Sequence, residues 1–158
     1  MTPETADDVD DAVLYEQLAP ELVRFAAALV GRVDAPDVLS QAVVKALATP
    51  AWPTVANRRA YLYRAVVNEA TTWRSRAERR PVLEARAAGT GVWELPTLRP
   101  DVAVAVAALS VRQKAVVVLT YWADLDVATV ADRLGISEGA VRSHLARARA
   151  RLREALDA

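Results

Sequence analysis

Between Asp126 and Leu156 the apolar residues fall on two helical stripes separated by a single glycine, and no other pattern in the 158 residues constrains the fold as tightly. Val127, Val130, Ala131 and Leu134 stand at i, i+3, i+4 and i+7, which gathers them on one helical face. Val141, Leu145, Ala148, Leu152 and Leu156 form the matching stripe in the next run. Gly135 permits a tight turn between the two, and Ile136 plugs it. Small Ala131, Gly135 and Val141 together meet the needs of a helix-turn-helix: a close crossing, a turn, and an apolar seal at the angle. At ~100° per residue, Gly139, Arg142, Ser143, Ala146 and Arg147 project away from the buried stripe. A helix entering a major groove needs close approach plus donors for phosphates and guanine edges, which small residues and arginines supply. A merely solvated arginine face would explain the charge. It explains neither the small residues nor the lack of any acid between Glu138 and Glu154.

The rest of the chain also reads as helix. Asp10 and Asp11 can cap a short first helix, and a second runs from Pro20 to Val30, with Gly31 past its end. Asp34 caps a third, APDVLSQAVVKALA, whose expected buried arc is Val38, Leu39, Ala42, Val43, Ala46 and Leu47. That arc leaves Asp37, Gln41 and Val44 outside. TPAWPTVAN breaks the pattern with two prolines, and Asn57 caps a long fourth helix that Pro81 stops. Residues 81–100 hold two glycines and three prolines and read as a linker. DVAVAVAAL alternates as a strand would, but its alanine content and helical flanks favour helix. Ser110 with Gln113 makes a capping box, and Asp126 and Ser137 cap the last two helices. The expected fold is all-α: two small helical domains, 1–80 and 101–158, on a flexible linker at 81–100. The acidic residues 1–10 are expected to be disordered.

Composition removes several function classes. The chain has no cysteine, which excludes disulfides and thiol chemistry, and its one histidine, His144, lies in the last helix. It has no glycine-rich phosphate loop, metal-ligand cluster or nucleophile–base pair, so no catalytic residue, metal or cofactor is expected. No apolar run is long enough to span a membrane and the acidic N-terminus is unlike a signal peptide, so a soluble cytoplasmic protein without membrane insertion is expected. The zero net charge hides an asymmetry. Residues 1–50 carry nine acidic against three basic groups, residues 51–100 carry nine basic against four acidic, and the net charge is −1 over 101–134 and +2 over 135–158. Two basic segments behind an acidic head suit an anionic partner gripped at two places.

At this point the run ALSVRQKAVVVLTYWADLDVATVADRLGISEGAVRSHLARARARLR resembles region 4 of bacterial RNA polymerase sigma factors of the extracytoplasmic-function group, in the sigma-70 family. DAPDVLSQA at 34–42, AYLYR at 60–64, Asn68 and Trp73-Arg74 resemble region 2 of the same group. The resemblance covers about residues 12–80 and 105–153, in the family's order. It implies a transcription initiation factor that binds core RNA polymerase and promoter DNA, double-stranded at the −35 element and melted at the −10 element. An anti-sigma factor is the implied regulator, since the chain has no evident sensor of its own. Polymerase contact would fall to Asp37, Leu39, Ser40, Gln41 and Val44. The −10 element would be read by Asn57, Asn68, Trp73, Arg74 and Arg76, with Arg79 and Arg80 on phosphates. The −35 element would be read by Ser137, Glu138, Gly139, Arg142, Ser143, His144, Arg147 and Arg149. The loop 49–56, stiffened by Pro50 and Pro53, would help capture an unpaired base; alternatively it is an ordinary connector with Trp52 tucked into the core.

The sequence departs from the family pattern at several positions. Ser40 and Gln41 stand for the usual Gln and Glu, Thr120 for Arg, Thr129 for Glu, and Asp126 for a serine cap. Ala140 and Arg142 replace Thr and Lys in the recognition helix, so an atypical promoter preference is expected. The run ends near residue 158, and no C-terminal regulatory extension is expected. Three other readings compete. The chain can be a LuxR-type regulator in which residues 34–48 and 60–74 serve as a sensor, an enzyme, or a decoy that binds an anti-sigma factor.

Overall fold

The structure is a computed structural model that describes residues 6–79 and 99–158. Seven α-helices and one 3-10 turn occupy these residues, with no strand among them. The helices are α1 (Ala6–Val30), α2 (Ala35–Ala48), α3 (Arg58–Glu78), α4 (Pro100–Ala107), α5 (Val111–Tyr121), α6 (Val127–Leu134) and α7 (Glu138–Asp157), and the 3-10 turn is Trp52–Thr54.

Local chemistry sets most boundaries. The Asn57 side-chain oxygen accepts the Ala60 N–H at 3.0 Å and starts α3. Ser110 and Gln113 close a reciprocal capping box ahead of α5. Asp126 accepts from Thr129 N–H at 2.8 Å and Ser137 from Ala140 N–H at 3.0 Å. DVAVAVA, residues 101–107, is helical, as its alanine content implies, and Ala108 caps its end. Asp34 does sit at the N-cap of α2, but its side chain makes no capping hydrogen bond.

The N-terminal segment departs from expectation. There is one helix where two were expected: α1 runs unbroken with Pro20 inside it, beginning within residues 1–10. Pro20 costs one backbone hydrogen bond, yet Leu18, Leu22, Phe25, Ala26 and Leu29 on either side of it form a continuous buried stripe. That stripe, and not local propensity, carries the helix through the proline. Asp11 is accordingly no cap. Its carboxylate lies inside α1 and accepts from Trp52 Nε1 at 2.8 Å and from Arg58 Nη1 at 2.8 Å. The Trp52 ring is thereby drawn into the core beneath the Arg58 guanidinium.

α1, α2 and α3 pack into a three-helix bundle, while α4 to α7 pack around one another. The two groups are not apart in this structure. α5 lies against α1 and α3, and α6 against α3, so the buried apolar residues of both halves form one cluster. The residues expected to form the linker lie outside the described residues, apart from Arg99 and from Pro100, which already belongs to α4.

Candidate nucleic-acid interface

The helix-turn-helix is built as its spacing implies. Val130, Ala131, Leu134, Val141, Leu145 and Ala148 are buried between α6 and α7. Gly135 takes φ 62 and ψ 36, the left-handed region that glycine enters without strain, and the Ile136 N–H donates to the Ala131 carbonyl at 3.0 Å to lock the turn. Leu156 departs from the expected stripe. It is 43% exposed because the last turn of α7 runs past the helices it packs on.

The outward face of α7 presents Ser137, Glu138, Gly139, Arg142, Ser143, Ala146, Arg147 and Arg149 to solvent. His144 is half-buried, turned toward the first half of the chain, and lines a crevice with Arg64 and Asn68. Its pKa is held below the usual value by burial and by the charges of Arg147 and Arg112. Arg142 reaches back to Glu138 at 3.1 Å, an exposed i,i+4 pair. Arg149 Nε donates to the Tyr121 hydroxyl at 2.9 Å, with its guanidinium over that ring. Among the described residues, Arg147 makes neither kind of contact.

On the first half, α2 and α3 enclose an open groove of about 340 Å³. Asn68 and Thr72 of α3 and Lys45 and Thr49 of α2 and its C-cap line it, beside Tyr61 and Arg64. Lys45 Nζ lies 2.6 Å from the buried Glu69 carboxylate at its base. Lys45, Tyr61, Arg64 and Glu69 line the groove but are not among the site residues expected from the sequence, where Tyr61 and Arg64 enter only through AYLYR. The spacing Tyr61, Ala65, Asn68, Glu69, Thr72 falls on one helical face and points to two of them, Tyr61 and Glu69.

The other expected residues are placed unevenly. Arg76 and Arg79 are exposed near the end of α3, and Arg80 lies outside the described residues. Trp73 is half-buried against the core. Arg74 is engaged by the second half: its guanidinium donates to the Leu109 carbonyl and, at 3.5 Å, to that of Ala107. Asn57 Nδ2 points at Asp132 Oδ1, at 3.5 Å. On α2, Asp37, Ser40, Gln41 and Val44 are exposed, with Val44 at 64%. Leu39 is only 4% exposed and belongs to the core, so it braces α2 from beneath and presents nothing to a partner. Leu47 was expected in the buried arc but is 46% exposed, since α3 covers only the stripe through Val38, Ala42 and Ala46.

A second cluster, unanticipated from the sequence, ties the halves together. The Glu21 carboxylate of α1 accepts from Arg59 at 2.7 Å and from the Tyr63 hydroxyl at 2.7 Å, and lies 3.4 Å from Arg133 of α6. Arg133 also covers the Tyr63 ring at 5.3 Å. Burial, and then the Glu21 carboxylate, push the Tyr63 phenol up to about 12. Nearby, the buried Lys114 Nζ donates to the Leu29 carbonyl oxygen at 3.4 Å.

The chain matches the family descriptions "Sigma-70 region 2" over residues 14–80 and "Sigma-70, region 4" over residues 101–152. It is 35% identical to an RNA polymerase sigma-E factor of Streptomyces avermitilis, over 86% of this chain and 79% of that one. The sigma-E factor of Streptomyces coelicolor is 34% identical, over 85% and 79%. In fold the chain is similar to the sigma factor RpoE of Bartonella quintana, solved in complex with the anti-sigma factor NepR, with a TM-score of 0.60 at 24% identity, covering 94% of this chain and 97% of that one. The region 2 match takes in both segments that a LuxR-type regulator would need as its sensor, which removes the support for that alternative. Both regions are present, in order, beside relatives matched over most of their length, and the chain therefore belongs to the sigma-70 family of RNA polymerase sigma factors, in its extracytoplasmic-function group.

Proposed function

We propose that this sigma factor works as two reading units, residues 1–80 and 101–158, that separate to span a promoter. The observation that carries the reading is the exposed face of α7, where Gly139, Ser143 and Ala146 alternate with Arg142 and Arg147 behind a rigid turn. That face reads the −35 duplex: Arg142 and Arg147 address base edges and phosphates, Ser137 and Gly139 allow close approach, Glu138 holds Arg142 through its ion pair, and Arg149 contacts the backbone. The groove between α2 and α3 receives the unpaired −10 base beside Asn68, with Trp73, Arg74, Arg76 and Asn57 along the strand. Asp37, Ser40, Gln41 and Val44 are the exposed part of the polymerase-binding set.

Since Arg74 and Asn57 are occupied by the second half, two of the five −10 residues are not free in the packed arrangement, and full promoter binding requires the seam to part. An anti-sigma factor, the class of partner with which the Bartonella quintana sigma factor was solved, is the proposed regulator of that step. The chain itself carries out no catalysis and uses no cofactor: it supplies recognition, and polymerase in the cytoplasm supplies the chemistry. Transcription from a genomic library with core polymerase, followed by sequencing of the 5′ ends, identifies the promoters. Asn68→Ala must then impair bubble formation seen by permanganate at the −10 element, while Arg147→Ala must impair duplex binding at the −35 element. If both variants lose activity equally on every sequence, with the same bubble, the division of labour is wrong.

A further inference from the structure

The seam between the halves holds a second crevice, of about 140 Å³, which adjoins the groove between α2 and α3 and shares Arg64 and Asn68 with it. Val67, Ala115, Val116, Leu134 and Ile136 make its floor apolar. Arg64 and Asn68 of α3, Arg112 of α5 and His144 of α7 complete its lining, so both halves contribute to it. No carboxylate lines it. The other seam arginines, Arg74 and Arg133, are satisfied by carbonyls, by Glu21 and by an aromatic face. Arg64, Arg112 and His144 have no acidic partner among the described residues. Arg64 leans over the Tyr61 ring and against the Gly135 turn instead. Two guanidiniums, from α3 and α5, and one imidazole, from α7, thus face one apolar hollow with no acid beside them. Such a field favours an anion.

We propose that this crevice binds a small amphiphilic anion: a benzene-sized apolar body carrying one carboxylate or phosphate. The size follows from the volume, since an apolar cavity of about 150 Å³ accepts benzene. The charge follows from Arg64 and Arg112, with the His144 imidazole beside them able to gain a proton when the anion binds. A ligand seated there touches α3, α5 and α7 at once and holds the two halves in the packed arrangement. Because Asn68 belongs to the proposed promoter-reading set, occupancy also competes with promoter DNA. That last clause rests on the proposed function, whereas binding itself does not.

His144 is the only histidine, so its ring protons report on the site without ambiguity. The full chain is titrated with benzoate and with phenyl phosphate at constant ionic strength and followed by NMR. A saturable shift of the His144 signals is expected, with its titration midpoint moving to higher pH, because a nearby anion favours the imidazolium. Acetate and inorganic phosphate, which carry charge without the apolar body, should bind at least 10-fold more weakly, and so should benzyl alcohol, which has the body without the charge. Arg112→Gln, at an exposed position outside the promoter-reading set, should weaken benzoate and phenyl phosphate at least 10-fold, with its helical circular dichroism unchanged. A non-saturating response, equal responses to acetate and benzoate, or an unaffected Arg112→Gln overturns the site. Saturable binding that leaves promoter affinity untouched upholds the site and overturns the competition.

Discussion

Replacing Lys114 with methionine probes the seam most directly. The side chain is 5% exposed, and its ammonium donates to the Leu29 carbonyl near the C-terminus of α1. Burial, and after it the positive charge of Arg74, bring its pKa from 10.5 down to about 8. A depression of that size corresponds to a penalty of about 3 kcal/mol for holding the charge there. The unfolded chain keeps the proton up to pH 10.5 and the folded chain only up to about 8. Between those values the unfolded state binds more protons, so stability rises with pH. The penalty is complete below pH 8 and gone above 10.5. Tyr63, whose folded pKa is pushed up to about 12, works the opposite way once the unfolded phenol ionises above pH 10, so pH 7 to 9.5 is the window in which lysine alone governs the slope. Methionine keeps the length and the apolar contacts but deprives Leu29 of a donor, which costs about 1 kcal/mol. Lys114→Met should therefore be more stable than the parent by about 2 kcal/mol at pH 7, and the advantage should shrink as pH rises. Urea unfolding followed by circular dichroism at half-unit steps of pH measures both chains. A variant less stable than the parent at pH 7, or a parent whose midpoint does not rise between pH 7 and 9.5, refutes the reasoning.

Arg133→Ala removes the contact to Glu21 at 3.4 Å and the cover over Tyr63, worth about 1–2 kcal/mol together, and should shift the halves roughly 5–30-fold toward separation. Because the chain has no cysteine, dyes on cysteines placed at Val33 and Ala150 report that shift by energy transfer, and unchanged transfer contradicts a closing role for Arg133. Glu138→Gln frees Arg142 from its ion pair and takes a carboxylate off the face proposed to meet DNA; tighter duplex binding with a steeper salt dependence is expected, and an unaltered slope in filter binding counts against Arg142 as a DNA contact. Gly135→Ala forces a side chain into φ 62 with its Cβ 3.1 Å from Arg64 Nε, which costs about 1–2 kcal/mol and should lower the thermal midpoint by several degrees; an unmoved midpoint means that the turn is not held as described.

What the sequence by itself determined was the local architecture. The caps at Asn57, Ser110, Asp126 and Ser137, the left-handed turn at Gly135 and the apolar faces of α6 and α7 are each decided by residues three or four positions apart. Their chemistry is complete within a turn or two of helix, so it is legible without knowing what lies opposite. The outward face of α7 was readable for the same reason, as the complement of its buried stripe.

Only the tertiary structure decided what contacts between distant parts of the chain decide. Pro20 stays inside α1 because the stripe around it is buried against α2, α3 and α5. Leu47 and Leu156 are exposed because the neighbouring helices stop short of them. Arg74, taken from the sequence as a DNA contact, is held by carbonyls 33 and 35 residues away, and Arg133 meets a carboxylate 112 residues away. Lys45 and Glu69 pair across the groove 24 residues apart. An arginine on a helix looks the same in sequence whether it faces a phosphate, a carboxylate or a carbonyl. Which it meets depends on how two helical groups dock, and that is set by the match of apolar surfaces over the whole chain and by no local pattern within it.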